Sequence, residues 1–353
     1  MSMEFATTLT AAGSTHSGRP RAAMGLYKMH RIRLYIIFST ISGKSRRKDI
    51  VMPQHFLTIL DFSKQEAAAL LDRAAAMKAV DYRSDLLDGK TCILVFEKAS
   101  TRTRVSFEVA VRHLGGWPIF MTQNDSQLGR DEPIRDTARV LSRYADCLIV
   151  RTFGHHKLEE LAAAGSIPVV NALSDEYHPC QIMADLLTMR EHSGGLEGLT
   201  LAFVGDGNNI AHSLINAAAR FPFRVVVAAP KGYQPDPAVV ARAREEGADV
   251  AVVDDPAEAA KGADYLYTDV WASMGQESEQ AIRARAFAGF QINDALVALA
   301  KPDVRVLHCL PAHRGEEITD SVMEGPHSVV WDEAENRLHV QKAILEWIFT
   351  KGK

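Results

Sequence analysis

The sequence has few cysteines, with four among 353 residues and none in a CxxC spacing. Cys92, Cys147, Cys180 and Cys309 are scattered along the chain, and two of them lie in apolar, strand-like runs. This distribution excludes a disulfide framework and favours a reducing compartment. We therefore expect a cytoplasmic location.

The sequence also lacks a long hydrophobic run, an internal repeat and, after residue 51, any low-complexity tract. The apolar run at 34–38 is far too short to cross a bilayer, so no membrane partner is expected. Hydrophobic content of 47% and charged content of 24% are typical of a globular protein. The length predicts about two domains.

Acidic residues outnumber basic ones outside the first 51 residues. That segment holds nine Lys or Arg and two acidic residues, which leaves 31 basic and 42 acidic residues in the remainder. An acidic body argues against a nucleic acid as the main partner. It does not argue against a small anionic substrate in a local basic pocket.

Residues 1–51 form a basic, Ser-rich extension without a periodic element, in which we expect little order. The composition is typical of an organelle transit peptide. The segment could equally come from a misassigned start, because Met52 opens a sequence that looks like a natural beginning. We favour the second interpretation and leave the segment out of the fold prediction.

The strongest local pattern is Ser-Thr-Arg-Thr-Arg at 100–104. It follows an apolar run, residues 92–96, that predicts a buried strand, and it precedes residues with helical spacing of apolar side chains. The first amides of a helix lack partners and attract anions, whereas two arginines there oppose the helix dipole. The alternative is a capped helix with a solvated basic first turn. We favour a phosphate site, because guanidinium and hydroxyl groups match phosphate oxygens.

Strands and helices alternate from residue 56 onward, which predicts α/β domains with parallel sheets. Ser-Gly-Gly at 193–195 interrupts the pattern, and a second series of strand–helix units follows. We predict two doubly wound parallel-sheet domains with the active site in the cleft between them. The predicted bounds are 52–192 plus about 335–353 for the first domain and 193–334 for the second, with a long final helix that returns to the first.

Polar clusters follow the predicted strands, where ligands bind in open α/β sheets. Arg151 ends one apolar strand and, taken alone, would be read as a surface arginine. His178 and Gln181 lie three residues apart at the start of a helix, with Pro179 as its first residue. They could polarise a carbonyl oxygen, or they could be a helix cap and a satisfied polar pair.

Gly-Asp-Gly-Asn-Asn-Ile at 205–210 resembles part of a dinucleotide fingerprint. The third glycine position is Ile210, and the next strand ends without the acidic residue that binds ribose. A nicotinamide cofactor is therefore disfavoured. Asn208 and Asn209 instead offer amides that can bind a zwitterionic amino acid.

Asp269 and Cys309 follow two further strands. Asp269 could hold an ammonium group or could cap a helix. His308, Cys309 and His313 raise the question of zinc, but their spacing fits no standard site, so no metal is expected. Cys309 is better suited to contact substrate or accept a proton.

These motifs resemble the ornithine carbamoyltransferase family. The resemblance rests on Ser-Thr-Arg-Thr-Arg at 100–104, His-Pro-Cys-Gln at 178–181, Asp269 with Ser-Met-Gly at 273–275, and His-Cys-Leu-Pro at 308–311. It covers the chain from about residue 55 to the end. The first motif is shared with aspartate carbamoyltransferases, whereas the last two point to ornithine.

The resemblance implies binding of carbamoyl phosphate first and of ornithine second, with no cofactor and no metal. It implies catalytic roles for Arg102, His178, Asp269 and Cys309. The implied carbamoyl-phosphate contacts are Ser100, Thr101, Arg102, Thr103, Gln127, Arg151, His178, Pro179, Cys180, Gln181, Cys309, Leu310 and Arg337. The implied ornithine contacts are Asn209, Asp269, Ser273 and Met274.

The resemblance further implies a homotrimer or an assembly of trimers, because Gln127 resembles a residue that reaches a neighbouring subunit's site. The expected reaction gives L-citrulline and phosphate in arginine metabolism, with domain closure around the substrates. Alternatives are a carbamoyltransferase for putrescine or an acylated ornithine, an NADP-dependent dehydrogenase, and a non-catalytic amino-acid or phosphate-binding protein.

Overall fold

The computed structural model describes residues 53–125, 132–272 and 277–351. The predicted extension at 1–51 lies outside the described residues, so its interpretation stays a prediction. Within the described part, the strand predicted at 92–96, the helix predicted to follow it and the long final helix are all present.

The parallel strands carry the site-forming residues at their carboxyl ends. They are β1 Thr91–Phe96, β2 Trp117–Thr122, β3 Cys147–Arg151, β4 Val169–Leu173, β5 Thr200–Val204, β6 Arg224–Ala228, β7 Val250–Val253, β8 Tyr265–Thr268 and β9 Arg305–His308.

The longer helices match the periodic segments of the sequence. The helices are α1 Lys64–Ala79, α2 Thr101–His113, α3 Ile134–Leu141, α4 His156–Ala164, α5 Pro179–Ser193, α6 Asn209–Ala218, α7 Pro237–Glu245, α8 Pro256–Ala260, α9 Gln280–Ala286, α10 Asp294–Val297, α11 Asp320–Met323 and α12 Val330–Thr350. Helices α9, α10 and α11 were not predicted, because segments of four to seven residues are too short to show a helical period.

The strands form two parallel sheets, with orders β2-β1-β3-β4 and β7-β6-β5-β8-β9. Successive residues of β1 face opposite sides of the first sheet. Leu94 packs in a core shared with α1, α2, α5 and α12, whereas Ile93 and Val95 pack in a second core that includes Leu158 of α4. Helices therefore cover both faces of the sheet, which confirms the predicted doubly wound class.

The register of each sheet brings distant residues together at the carboxyl edge. Phe96 pairs with Arg151, so the segment that follows β1 lies beside the end of β3. Thr268 pairs with His308, so the next residues, Asp269 and Cys309, are also neighbours.

Helix α12 packs against α1, α2 and α5, and it also contacts β9. Arg73 of α1 and Glu346 of α12 form a bidentate ion pair with N–O distances of 2.6 and 2.9 Å. The last helix thus lies against the first sheet's helices and also reaches the second sheet. The described helices include none that combines the length and the apolar character of a membrane span.

Candidate active site

The turn between β1 and α2 holds the Ser-Thr-Arg-Thr-Arg motif. Ser100 is the N-cap of α2, and its hydroxyl accepts a hydrogen bond from the Thr103 amide at 3.2 Å. The cap and the anion-site interpretation therefore coexist, because a capped helix start still directs its free amides outward.

The two arginines of this motif have different surroundings. Arg102 lines the cleft between the sheets. Arg104 turns away, where its Nε donates to Glu108 Oε1 at 2.8 Å and its guanidinium lies 3.6 Å from the centre of the Phe120 ring. The interpretation that both arginines face an anion is thus supported for Arg102 only.

Arg151 is buried at the end of β3 and lines the same cleft. The alternative of a surface arginine is therefore wrong. Burial, together with the positive charges of Arg337 and Arg102, lowers the pKa of Arg151 to about 10. The group nevertheless stays protonated at neutral pH.

Arg337 of α12 completes the basic side of the cleft. It is 3% exposed, its Nη2 donates to Thr103 Oγ1 at 3.0 Å, and its Nη1 donates to Gln181 Oε1. Both acceptors are neutral. Within the described ranges, neither Arg102 nor Arg337 forms an ion pair with a carboxylate. The cleft therefore presents positive charge that the protein leaves for an anion.

His178 lies at the N-cap of α5 and makes no capping hydrogen bond with its side chain. It lines the cleft, and its Nδ1 has no hydrogen-bond partner among the residues that the structure describes. Burial holds the pKa of His178 well below its usual value, with further contributions from Arg337, Arg151 and Arg102. The imidazole is therefore neutral at physiological pH.

Gln181, Pro179 and Cys180 lie beneath the cleft and are not among its lining residues. Gln181 bonds to Arg337 and to two buried carboxyl groups, so the predicted polar pair with His178 is not formed. Burial raises the pKa of the Cys180 thiol to about 12. Direct contact of these three residues with carbamoyl phosphate stays a prediction.

Asp269 and Cys309 meet on the opposite side of the cleft. The Cys309 thiol donates to Asp269 Oδ1 at 3.0 Å, and Asn208 Nδ2 donates to Asp269 Oδ2 at 3.0 Å. Desolvation and the adjacent Asp269 charge raise the pKa of Cys309 well above its usual value. Asp269 precedes no helix in the part of the chain that the structure describes, so its alternative role as a helix cap is not supported.

The second glycine of Gly-Asp-Gly-Asn-Asn, Gly207, packs closely against another segment of backbone. The Gly207 amide donates to the Tyr233 carbonyl at 2.8 Å, and a Cβ at Gly207 would lie 2.2 Å from the Pro235 nitrogen. The chain's own backbone therefore occupies the position beside the second glycine. Asn209 donates to the Ser174 carbonyl at 2.7 Å and lines the cleft.

Both ring nitrogens of His308 form hydrogen bonds within the protein, which bears on whether this residue could bind zinc. Its Nε2 bonds to Glu317 Oε1 at 3.1 Å and its Nδ1 accepts from the Leu310 amide at 2.9 Å. Asp269, His308 and Cys309 offer ligand atoms within 4.8 Å of one another. Because both ring nitrogens are engaged inside the protein, His308 is not presented as a metal ligand.

These residues surround one cavity of about 450 Å³. Of the predicted residues it is lined by Ser100, Thr101, Arg102, Thr103, Arg151, His178, Asn209, Asp269, Cys309, Leu310 and Arg337. Gln127, Ser273 and Met274 lie outside the described residues. Their predicted roles stay predictions.

Lys98 also lines the cavity and was missed by the sequence analysis. Its ammonium forms an ion pair with Asp175 and lies 4.4 Å from the centre of the Phe153 ring. The available signal was its position two residues before Ser100, just beyond the carboxyl end of a strand.

The chain matches profiles of the two domains of one enzyme family. The profile of the aspartate/ornithine carbamoyltransferase carbamoyl-P binding domain matches residues 54–191. The profile of the Asp/Orn binding domain matches residues 197–348.

Named relatives cover most of this chain. The chain is 60% identical over 300 residues to an ornithine carbamoyltransferase of Nitratidesulfovibrio vulgaris, which covers 85% of this chain and 100% of that relative. It is 59% identical over 302 residues to an ornithine carbamoyltransferase of Acidothermus cellulolyticus, covering 84% and 97% of the two chains.

Solved structures of ornithine carbamoyltransferases are similar to this chain over most of its length. The ornithine carbamoyltransferase from Pyrococcus furiosus aligns with a TM-score of 0.81 at 48% identity, covering 85% of this chain and 98% of that one. The ornithine carbamoyltransferase from Thermus thermophilus aligns with a TM-score of 0.78 at 46% identity, covering 84% and 99%.

Proposed function

This chain belongs to the aspartate/ornithine carbamoyltransferase family, and from that premise we propose how its cleft performs the reaction. It is a transferase that moves the carbamoyl group of carbamoyl phosphate to the δ-amine of L-ornithine, giving L-citrulline and phosphate. The amine nitrogen forms a bond to the carbamoyl carbon, the bond from that carbon to the phosphate oxygen breaks, and the amine loses a proton.

The observation that carries this proposal is the set of three arginines at one edge of the cleft. Arg102, Arg151 and Arg337 converge beside the N-terminus of α2, and Arg102 and Arg337 have no carboxylate partner within the described ranges. Guanidinium forks and helix amides bind phosphate oxygens and stabilise the charge of the departing phosphate. We assign the phosphate group of carbamoyl phosphate to this edge.

His178 is proposed to bind the carbamoyl oxygen. A neutral imidazole can donate one hydrogen bond to an oxygen on which negative charge develops. The depressed pKa of His178 keeps the ring neutral, so it adds no further charge to the three arginines. Arg102 is proposed to assist at the same oxygen.

The amine side is proposed to lie at Asp269, Asn209 and Cys309. Ornithine's δ-amine has an ordinary pKa of about 10 and must be neutral to attack. Because the Cys309 thiol is held protonated and donates to Asp269, the carboxylate is the better proton acceptor of the two. We therefore assign proton acceptance to Asp269 and amine orientation to Asn209 and Cys309, which line the same cleft.

Citrulline formation from carbamoyl phosphate and L-ornithine tests the function directly. Putrescine, an acylated ornithine and L-aspartate, each supplied instead of ornithine, test the choice of amine. We expect turnover with ornithine at least about 100-fold above that with the other amines. A folded sample that makes no citrulline would refute the proposal, and stronger turnover with another amine would reassign the substrate.

We also propose a homotrimer or an assembly of trimers. Strand β2 lies at the edge of its sheet, and Trp117 and Ile119 on it are 60% and 48% exposed. An exposed edge strand with large apolar side chains is typical of a surface that another chain covers. Light scattering at micromolar concentration would measure the mass, and a monomer at that concentration would contradict this part.

We further propose that the protein is cytoplasmic and acts in arginine biosynthesis. The four cysteines are all free, which supports a reducing compartment. Growth of an arginine auxotroph that lacks ornithine carbamoyltransferase, rescued by this chain, would support the pathway. Failure of rescue by a well-expressed, active chain would contradict it.

A further inference from the structure

Two buried carboxyl groups lie beneath the basic edge of the cleft without lining it. Asp185 of α5 is 0% exposed and Glu333 of α12 is 1% exposed. The Gln181 carboxamide lies between them, and its Nε2 donates to Asp185 Oδ1 at 2.9 Å and to Glu333 Oε1 at 2.8 Å. A buried pair of acids has a desolvation cost, so its contacts call for a functional explanation.

These contacts determine which way the carboxamide points. Both N–H groups of Gln181 are directed to carboxyl oxygens, so its carbonyl oxygen faces Arg337 and accepts from Nη1. A guanidinium has only donors. Rotation of the amide by half a turn would place N–H against N–H at Arg337 and oxygen against oxygen at the acids. The two carboxyl groups therefore fix the orientation of Gln181 and, through it, that of Arg337.

Gln181 also separates the acids from the arginine. The side-chain acceptors that hold Arg337 are the neutral oxygens of Gln181 and Thr103. A carboxylate in direct contact would neutralise the guanidinium and compete with a phosphate group. Gln181 therefore orients the guanidinium of Arg337 as a carboxylate partner would. It does not neutralise the positive charge, which stays available to the substrate.

The charge of the acid pair is limited as well. Burial raises the pKa of Asp185 to about 7 and raises that of Glu333 well above its usual range, with the Asp185 charge as a further cause at Glu333. The pair therefore retains a proton near neutral pH. A protonated Asp185 has the hydrogen-bonding pattern of an asparagine, with one acceptor and one donor.

Glu333 has a second contact on the amine side of the cleft. Its Oε2 accepts from the His308 amide at 2.8 Å, and His308 directly precedes Cys309. The Tyr267 hydroxyl lies 3.4 Å from Oε1 of the same carboxyl group. One side chain of α12 thus holds both Gln181, beside the phosphate edge, and the turn that presents Cys309.

We propose that Asp185 and Glu333 are positioning residues of the carbamoyl transfer, which direct Arg337 at the phosphate group through Gln181. Glu333 additionally holds the turn at His308 and Cys309 in a fixed position relative to the basic edge of the cleft. The inference rests on the proposed function and adds to it a layer of residues that touch neither substrate.

Substitutions that change the number of hydrogen-bond acceptors at Asp185 and Glu333 test the proposed positioning role. Asp185→Leu removes the acceptor for Gln181 at similar volume, whereas Asp185→Asn keeps an acceptor without a negative charge. Glu333→Gln leaves one oxygen for two donors, Gln181 Nε2 and the His308 amide. We expect Asp185→Leu and Glu333→Gln to raise the dissociation constant of inorganic phosphate at least about tenfold, and Asp185→Asn to restore most of the affinity.

Calorimetric titration with inorganic phosphate, together with the KM values for both substrates, gives the readout. Asp185→Leu should change the KM for carbamoyl phosphate more than that for ornithine, Asp185→Asn should change both KM values little, and Glu333→Gln should change both. Asp332→Asn is the matched control, because Asp332 is a neighbouring α12 residue that bonds to His192 on the surface. Loss of packing alone would lower the melting temperature without this division between the two KM values.

Unchanged phosphate affinity in a folded Asp185→Leu variant would overturn the proposal, as would an Asp185→Asn variant as weak as the leucine variant. If Asp185→Leu does not fold, Gln181→Glu decides, since a carboxylate on Arg337 should weaken phosphate binding about tenfold or more. Unaltered affinity there would also overturn the proposal. Citrulline formation by the wild-type chain tests the underlying function separately, because an inactive wild type removes the function and an active one leaves the positioning role to be judged.

Discussion

Arg337 and Thr103 lie 234 residues apart in the chain, yet Nη2 of the arginine donates to Oγ1 of the threonine at 3.0 Å. The contact joins α12 to the first turn of α2, where Ser100 and Arg102 also face the cleft. The anion site is thus built from two distant parts of the sequence, and each part can be tested separately.

Replacement of Arg337 by lysine keeps the charge and removes the planar fork. Lysine cannot bond to Gln181 and Thr103 in the same geometry and still present donors to a phosphate group. We expect the KM for carbamoyl phosphate to rise about tenfold to 100-fold, with a much smaller change in the KM for ornithine. Steady-state kinetics with each substrate varied would measure this, and equal changes in both KM values would contradict it.

Arg102 and Arg104 provide a matched pair within one helical turn. Arg102→Ala should reduce citrulline formation by about three orders of magnitude, because the guanidinium faces developing charge in the cleft. Arg104→Ala should change it less than about fivefold, since Arg104 is engaged by Glu108 and Phe120. Near-normal turnover of folded Arg102→Ala would refute the assigned role. Circular dichroism of both variants supplies the folding control.

His178 should link stability to pH in a defined direction. The folded-state pKa lies well below the unfolded value of about 6.5, so the unfolded chain binds a proton first as pH falls. The stabilisation is therefore fully present above about pH 6.5 and is lost progressively as pH falls toward the folded-state pKa. The free energy of unfolding, measured with urea from pH 5 to 8, should change less steeply with pH for His178→Asn than for the wild type. An equal pH dependence in the two proteins would contradict the neutral imidazole.

Cys309 should behave as a hydrogen-bond donor rather than a nucleophile. Because desolvation and Asp269 raise its pKa, we expect slow alkylation by iodoacetamide at pH 8. Cys309→Ser keeps a donor to Asp269, whereas Cys309→Ala removes it. The alanine variant should raise the KM for ornithine more than the serine variant does, and phosphate affinity should stay within about threefold in both. Mass spectrometry of the alkylated wild type that shows rapid labelling of Cys309 would count against a protonated thiol.

Gly207→Ala should destabilise the second sheet domain. A Cβ at this position would lie 2.2 Å from the Pro235 nitrogen and 2.4 Å from the Gln234 carbonyl carbon, both of them backbone atoms. We expect a loss of about 1–3 kcal/mol in the free energy of unfolding, or more if the segment cannot shift. Gly195→Ala is the control, since its Cβ would have no neighbour within 4 Å. Equal stability of the two variants would show that the close approach is not constraining.

The sequence was informative where local rules apply. Apolar runs and helical spacing predict β1 and α2 to within a few residues, because these segments are long and regular. The carboxyl ends of parallel strands share one edge, and ligand groups are predicted there. This rule identifies Arg151 and Asp269 from the sequence, because each stands at or just after the end of an apolar strand.

The remainder depended on tertiary contacts that leave no local signal. Arg102 and Arg104 have the same residue type in the same helical turn, and only the position of Glu108 and Phe120 separates their roles. Asp185 and Glu333 look like ordinary polar residues on amphipathic helices. Their burial arises because α5 and α12 pack against each other, which the spacing of neither helix reveals.

The location of α12 also has a consequence for folding. Closing a loop of 234 residues has an entropic cost that local contacts within β1 and α2 do not incur. A refolding chain can therefore form the turn at 100–104 early and still lack Arg337 beside it. Tight phosphate binding should consequently appear only after α12 has docked, so that affinity for the anion reports this step of folding.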